Sequence, residues 1–211
     1  MSSPLIFDIH CQQCPRLATF LGDLKQQYPD YHNLPVAPFG DKKAKLLIVG
    51  LAPGMHGANA TGRPFTGDHA GILLYESLYK YGFATRPESV SADDGLKLKN
   101  CRITNAVKCL PPQNKPVGSE INTCNAFLAE ELKTLKPDSV IIALGTIAHN
   151  AVLRALGKKL SAYKFGHAAL HKIDNLRLLD SYHCSRYNTQ TKRLTEKMFH
   201  DVFKKAKKLL G

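Results

Sequence analysis

A chain of 211 residues, 44% of them hydrophobic, is long enough for one domain with a full core. Its 29 Lys+Arg against 17 Asp+Glu leave a formal charge of +12, which favours polyanionic partners, nucleic acid first among them. No run reaches the roughly 18 apolar residues of a membrane span, and the first ten residues, polar apart from Leu5-Ile6-Phe7, lack the plan of a secretory leader. A single domain over 1–211, monomeric, cytoplasmic and nucleoid-associated, with no membrane partner, is therefore expected.

In chain order, the continuous apolar run Lys45 to Gly50 reads as a buried strand. Ala70 to Tyr81 places Ile72, Leu73, Leu78 and Tyr81 at helical spacing. Polar residues between Tyr81 and Leu98 suggest a surface connection, and Cys101 to Val107 a second strand. Ser119 to Leu135 is an amphipathic helix carrying Ile121, Cys124, Leu128, Leu132 and Leu135, stopped by Pro137. Ser139 to Leu144 is the clearest buried strand, followed by Gly145 and a helix from Ile147 to Leu156. Gly166 to Asn175 suits a hairpin, Leu176 to Tyr182 a fourth strand, and Thr191 to Leu210 one long final helix. This alternation predicts the α/β class: a three-layer α/β/α domain around a mostly parallel four-stranded sheet.

In such a sheet, ligands bind beyond the carboxyl ends of the strands. Three loops should meet there: Gly50-Leu-Ala-Pro-Gly54, Cys109 to Asn114, and His183-Cys-Ser185. The glycines and proline of the first let backbone approach a ligand closely, although the Lys-Ser/Thr of a phosphate loop is missing. Gly57 to Asp68 is rich in turn residues and ends before a helix, so Asp68 is either an N-cap or a carboxylate facing a developing cation, with Phe65 a stacking platform. Ser185 to Arg193, polar and basic, can contact phosphates. Further positive charge lies on Lys204, Lys205, Lys207 and Lys208.

Six cysteines in a reducing compartment point to free thiols or metal ligands rather than disulfides. Cys11-Gln-Gln-Cys14 has ligand spacing, and Cys109 and Cys124 could join it at a helix N-terminal end. Zinc and an iron-sulfur cluster suit four thiolates equally by count. Cys101 reads as core; Cys184, beside His183 in an extended segment, points away from it.

Taken together, Cys11-x-x-Cys14-Pro-Arg-Leu, Phe39-Gly-Asp41, Gly50-Leu-Ala-Pro53, Thr61-Gly-Arg-Pro-Phe-Thr-Gly-Asp68, Thr104 to Asn114, Ala143-Leu-Gly145 and His183-x-Ser185-x-x-Asn188-Thr-Gln-Thr resemble the uracil-DNA glycosylase superfamily, in detail its iron-sulfur type 5 branch. The resemblance implies a monofunctional hydrolase of N-glycosyl bonds that initiates base excision repair on DNA holding uracil, hypoxanthine or xanthine. It implies a 4Fe-4S cluster, in preference to zinc, on Cys11, Cys14, Cys109 and Cys124. It also implies Asp68, Asn114 and His183 as catalytic residues and Gly50, Ala52, Pro53, Gly54 and Phe65 around the base. Ser185, Arg186, Tyr187 and Asn188 would meet DNA. Cys184 replaces the family's usual proline and is expected to loosen the DNA-entering loop, while Gly54-Met55 is expected to narrow the base pocket. A non-catalytic metal-bearing DNA-binding protein on the same fold is the alternative, and a Cys11-Cys14 oxidoreductase lacks the strand that should precede its motif.

Overall fold

The computed structural model describes residues 7–211; the reading of the first six residues as part of no secretory leader lies outside them. Helix α1, Pro15–Gln27, opens on a proline whose missing N–H costs nothing at a helix start, and buries Leu17, Leu21 and Leu24. Strands β1 (Phe39–Gly40) and β2 (Leu46–Gly50) follow, then the one-turn helix α2 (Ala58–Thr61) and α3 (His69–Lys80). Next come β3 (Cys101–Asn105), α4 (Gly118–Lys133), β4 (Val140–Leu144) and α5 (Thr146–Ala155). The chain ends with β5 (Leu170–Ile173), β6 (Leu176–Ser181), α6 (Arg186–Gln190) and α7 (Glu196–Leu210).

The sheet has six strands in the order β1-β3-β2-β4-β6-β5, not four. The four expected strands are its parallel centre, and antiparallel β1 and β5 edge it. Two residues of β1 carry no periodic signal, and β5 is the first arm of the hairpin expected at 166–175. Side chains alternate between faces. Leu46 and Ile48 meet α3 and α7 through Leu74, Leu78, Phe199 and Phe203, while Leu47 and Val49 meet α1, α4 and α5 through Leu17, Leu128 and Val152. Helices on both faces make the three layers, and each core Leu or Ile so buried contributes roughly 1.5–3 kcal/mol.

The final helix starts at Glu196 rather than at the expected Thr191, and a separate short helix, α6, precedes it. Lys192 adopts φ 57°, Leu194 is buried, and the Thr195 hydroxyl caps α7 by accepting from Met198 N at 3.2 Å. Ile72, read as a core position of α3, is instead 64% exposed.

Candidate active site

The chain runs from β2 out to β3 and then back past β2 to β4, so the sheet reverses direction of growth beside β2. A cavity of about 590 Å³ opens at the carboxyl ends of these strands, where a switch in strand order leaves a crevice. Ala52, Gly54, Phe65, Asp68, Asn114, His183, Ser185, Arg186, Tyr187 and Asn188 all line it. Tyr187, 70% exposed, and Arg186 stand at its mouth on α6.

Phe65 is buried with φ 55°, a left-handed conformation costly for a bulky side chain. Its neighbours hold it there. Arg63 donates to Thr66 Oγ1 at 3.0 Å and Ser89 Oγ at 2.6 Å, pairs with Asp94 at 2.5 Å, and its guanidinium lies 4.9 Å from the Phe39 ring centre. Tyr75 donates its hydroxyl to Pro64 O at 2.8 Å. The Phe65 ring lies nearly parallel to that of His183, 6.0 Å between centres and 29° between planes. Asn114 also has φ 57°, at the tip of a single 3-10 turn, and its exposed side chain faces the cavity.

Asp68 both caps a helix and lines the cavity. It is the N-cap of α3, its Oδ1 accepting from Gly71 N at 2.9 Å, while its other oxygen faces Gly54 and Gly57. A Cβ at Gly57 would stand 2.6 Å from Oδ2, so the glycine is what lets the carboxylate sit there. Burial pushes its pKa up, against the opposing pull of the Gly71 and Ala70 amides. Burial also lowers the His183 pKa to about 4, so the ring is neutral near pH 7 and has one N–H to give. Asn188 fixes its backbone by donating Nδ2 to His183 O at 2.8 Å.

Cys11, Cys14, Cys109 and Cys124 line one small enclosed cavity between α1, α4 and the loop after β3. Burial first, and then the nearby charges of Cys124, Cys11, Cys14 and Glu120, together push the Cys109 thiol up to about 12. Lys108 donates its backbone N–H to Cys124 Sγ at 3.3 Å. Arg16 clamps the two segments with a bidentate bond to Glu120, 2.7 and 2.8 Å, and a third to Lys115 O at 3.2 Å. Two other groups of candidate ligands occur among the described residues, His149, His171 and Asp180, and Glu76, Glu196 and His200, the atoms of each group within 4.8 Å of one another.

Four expectations change. Gly50 does not line the cavity; it lies behind it, where a Cβ would strike Asn105 Oδ1 and come within 2.6 Å of the Phe65 ring. Pro53 is buried and also off the lining. Met55 packs against the cluster of Leu21, Leu24 and Leu110, off the cavity lining, so it does not narrow it. Cys184 is fully buried and its thiol donates to Ala70 O at 3.3 Å, anchoring the start of the loop it was expected to loosen. Sequence reasoning missed Asn105, which is buried, lines the cavity, and has an Oδ1 without a partner. An amide ending a buried strand was the available signal. It also missed the β4 end, Leu144 to Ile147, where Gly145 at φ 95° turns into α5.

Residues 37–207 match the family model described as the uracil DNA glycosylase superfamily. A type-5 uracil-DNA glycosylase of Thermus thermophilus is 44% identical over 207 residues, 95% of this chain and 94% of that protein. One of Pyrobaculum aerophilum is 40% identical over 94% of this chain and 88% of its own. Among solved structures, wild-type Pedobacter heparinus SMUG2 superposes with a TM-score of 0.51 at 15% identity, covering 98% of this chain and 93% of that one, a likeness of fold alone.

Proposed function

The chain belongs to the uracil DNA glycosylase superfamily, and from that premise we propose that it removes uracil, and with it the deaminated purines hypoxanthine and xanthine, from DNA. Activity on uracil as a monofunctional glycosylase, opening base excision repair, rests on the family and its relatives. The wider base range is supported by a cavity of about 590 Å³, roomy enough for a two-ring base, whose first loop offers small Ala52 and Gly54.

One observation carries the reading: Phe65, Asp68, Asn105, Asn114 and His183 converge on one cavity at the strand ends. A base must leave the duplex to enter, at a cost of a few kcal/mol. Tyr187, exposed on α6 and flanked by Arg186, would fill the gap it leaves. Inside, Phe65 gives the base a rigid apolar face and the Asn105 amide reads its edge. As the bond from C1′ to the base nitrogen breaks, the pair of electrons leaves with the base and the sugar becomes cationic. The Asp68 carboxylate stabilises that cation and orients water, from which C1′ gains hydroxyl while the remaining proton passes to Asp68 and from there to the anionic base, with Asn114 as second contact. Neutral His183 donates its N–H to the base oxygen that gains charge.

Cys11, Cys14, Cys109 and Cys124 would hold a 4Fe-4S cluster, whose contribution is to cross-link α1 to α4 and the loop bearing Asn114. Burial and mutual charge disfavour their thiolate forms, which a cationic centre bound among them would offset. Four thiolates fit zinc equally by count, and it is the likeness to the iron-sulfur branch of the family that favours the cluster. The chain is expected to act as a single domain, as a monomer, in the cytoplasm.

Incubation with duplexes holding uracil, hypoxanthine or xanthine, followed by alkaline cleavage of abasic sites, tests the assignment. Strand breaks at all three bases are expected. Breaks at uracil alone would refute the wider range, and none at any base would refute the enzyme.

A further inference from the structure

Lys108 is 2% exposed and lies outside the cavity, yet it touches both the cavity wall and the cysteine set. A buried ammonium needs three acceptors, and this one has them: Thr104 Oγ1, Asn105 O at 3.0 Å and Glu131 Oε1 at 2.6 Å. Glu131 is in turn flanked by Arg102 at 3.6 Å and accepts from Thr104 Oγ1 at 3.0 Å. The ion pair is thus rooted in α4 and its ammonium points at the last peptide of β3.

We propose that Lys108 is a positioning residue for base recognition: by holding the Asn105 carbonyl it fixes the end of β3 so that the Asn105 amide faces the cavity. Asn105 O is held by Lys108 Nζ, and Ala106 N donates to Gly50 O at 2.9 Å, so the peptide joining residues 105 and 106 is pinned on both sides. Asn105 lines the cavity, and its Oδ1 is buried beside Gly50 with no partner in the protein, so only the backbone held by Lys108 and Gly50 fixes where the amide lies. The backbone N–H of the same lysine bonds Cys124 Sγ, so the residue that aims the amide is also tied to the thiol set. This inference rests on the base-binding role given above to the cavity.

Lys108→Met keeps length and removes the charge. In single-turnover assays on uracil duplexes it should cut the rate constant at least tenfold. Affinity for a duplex bearing an abasic-site analogue, which has no base to read, should stay within twofold of wild type, as should absorbance near 400 nm per chain. In a double-mutant cycle the pair Lys108→Met, Asn105→Ala should be no slower than Asn105→Ala alone. Multiplicative effects, parallel loss of abasic-site affinity, or a wild-type rate in Lys108→Met would each overturn the proposal. Should Lys108→Met not fold, Glu131→Gln, which loosens the ammonium without removing it, is to be run in the same cycle and must show the same non-additivity with Asn105→Ala. If the wild type cleaves uracil while these cycles are additive, the enzyme stands and only the role of Lys108 falls.

Discussion

Two side chains of opposite electrostatic history share one cavity. Burial raises the Asp68 pKa and lowers that of His183 to about 4, which leaves a carboxylate reluctant to ionise beside an imidazole reluctant to protonate. The mechanism proposed above needs Asp68 ionised, so cleavage should fall as pH drops through its raised pKa, and the acid limb of the pH–rate profile should vanish in Asp68→Asn. Asp68→Ala and His183→Ala should each lose on the order of 10²- to 10³-fold in single-turnover rate while still binding DNA, as judged by gel shift. Full activity in both would place the chemistry elsewhere. Asp68 and His183 were readable in the sequence because each stands where a regular element begins or ends. Asn105 was not, since nothing local distinguishes a strand-end amide facing a cavity from one facing a core.

Elements hold these residues by contacts far apart along the chain. Arg16 at the start of α1 and Glu120 in the first turn of α4 are 104 residues apart, and their paired bonds fix two cysteine-bearing segments to each other. Arg16→Ala leaves mostly buried Glu120 without its cation, so the absorbance near 400 nm of the cluster proposed above should bleach faster under air than in wild type; equal rates would deny the brace a role. Under the β5–β6 hairpin, both ring nitrogens of His149 face acceptors, Asp180 Oδ1 at 2.7 Å and Tyr163 O at 2.9 Å, so the ring must carry both protons. Burial alone would lower its pKa, but the bond and charge of Asp180 and the Tyr163 carbonyl raise it above the usual 6.5. Its contribution to stability is full below pH about 6.5 and is lost as pH rises through the folded value. A fall in Tm across that window is expected in wild type and should flatten in His149→Gln. The sequence offered no sign of this cluster, because its members come from α5, β5 and β6.

For the whole molecule, a charge of +12 matters through where it lies. Arg186 and Arg193 ring the cavity mouth, whereas the lysines near the end of α7 sit on another element. DNA affinity should fall steeply with salt, and Arg186→Ala and Arg193→Ala should each flatten the slope of log K against log salt by about one, a change that Lys207→Ala should not produce. The sequence by itself determined the α/β class, the four central strands, the cysteine set and three of the four loops around the cavity, because apolar runs and turn residues act over a few neighbours. Tertiary structure alone decided the two-residue edge strand β1, the late start of α7, the withdrawal of Gly50, Pro53 and Met55 from the lining, and the entry of Asn105 into it. Those outcomes depend on which surfaces meet across the sheet, and burial, a missing hydrogen-bond partner and the room beside a glycine exist only once distant segments are packed together.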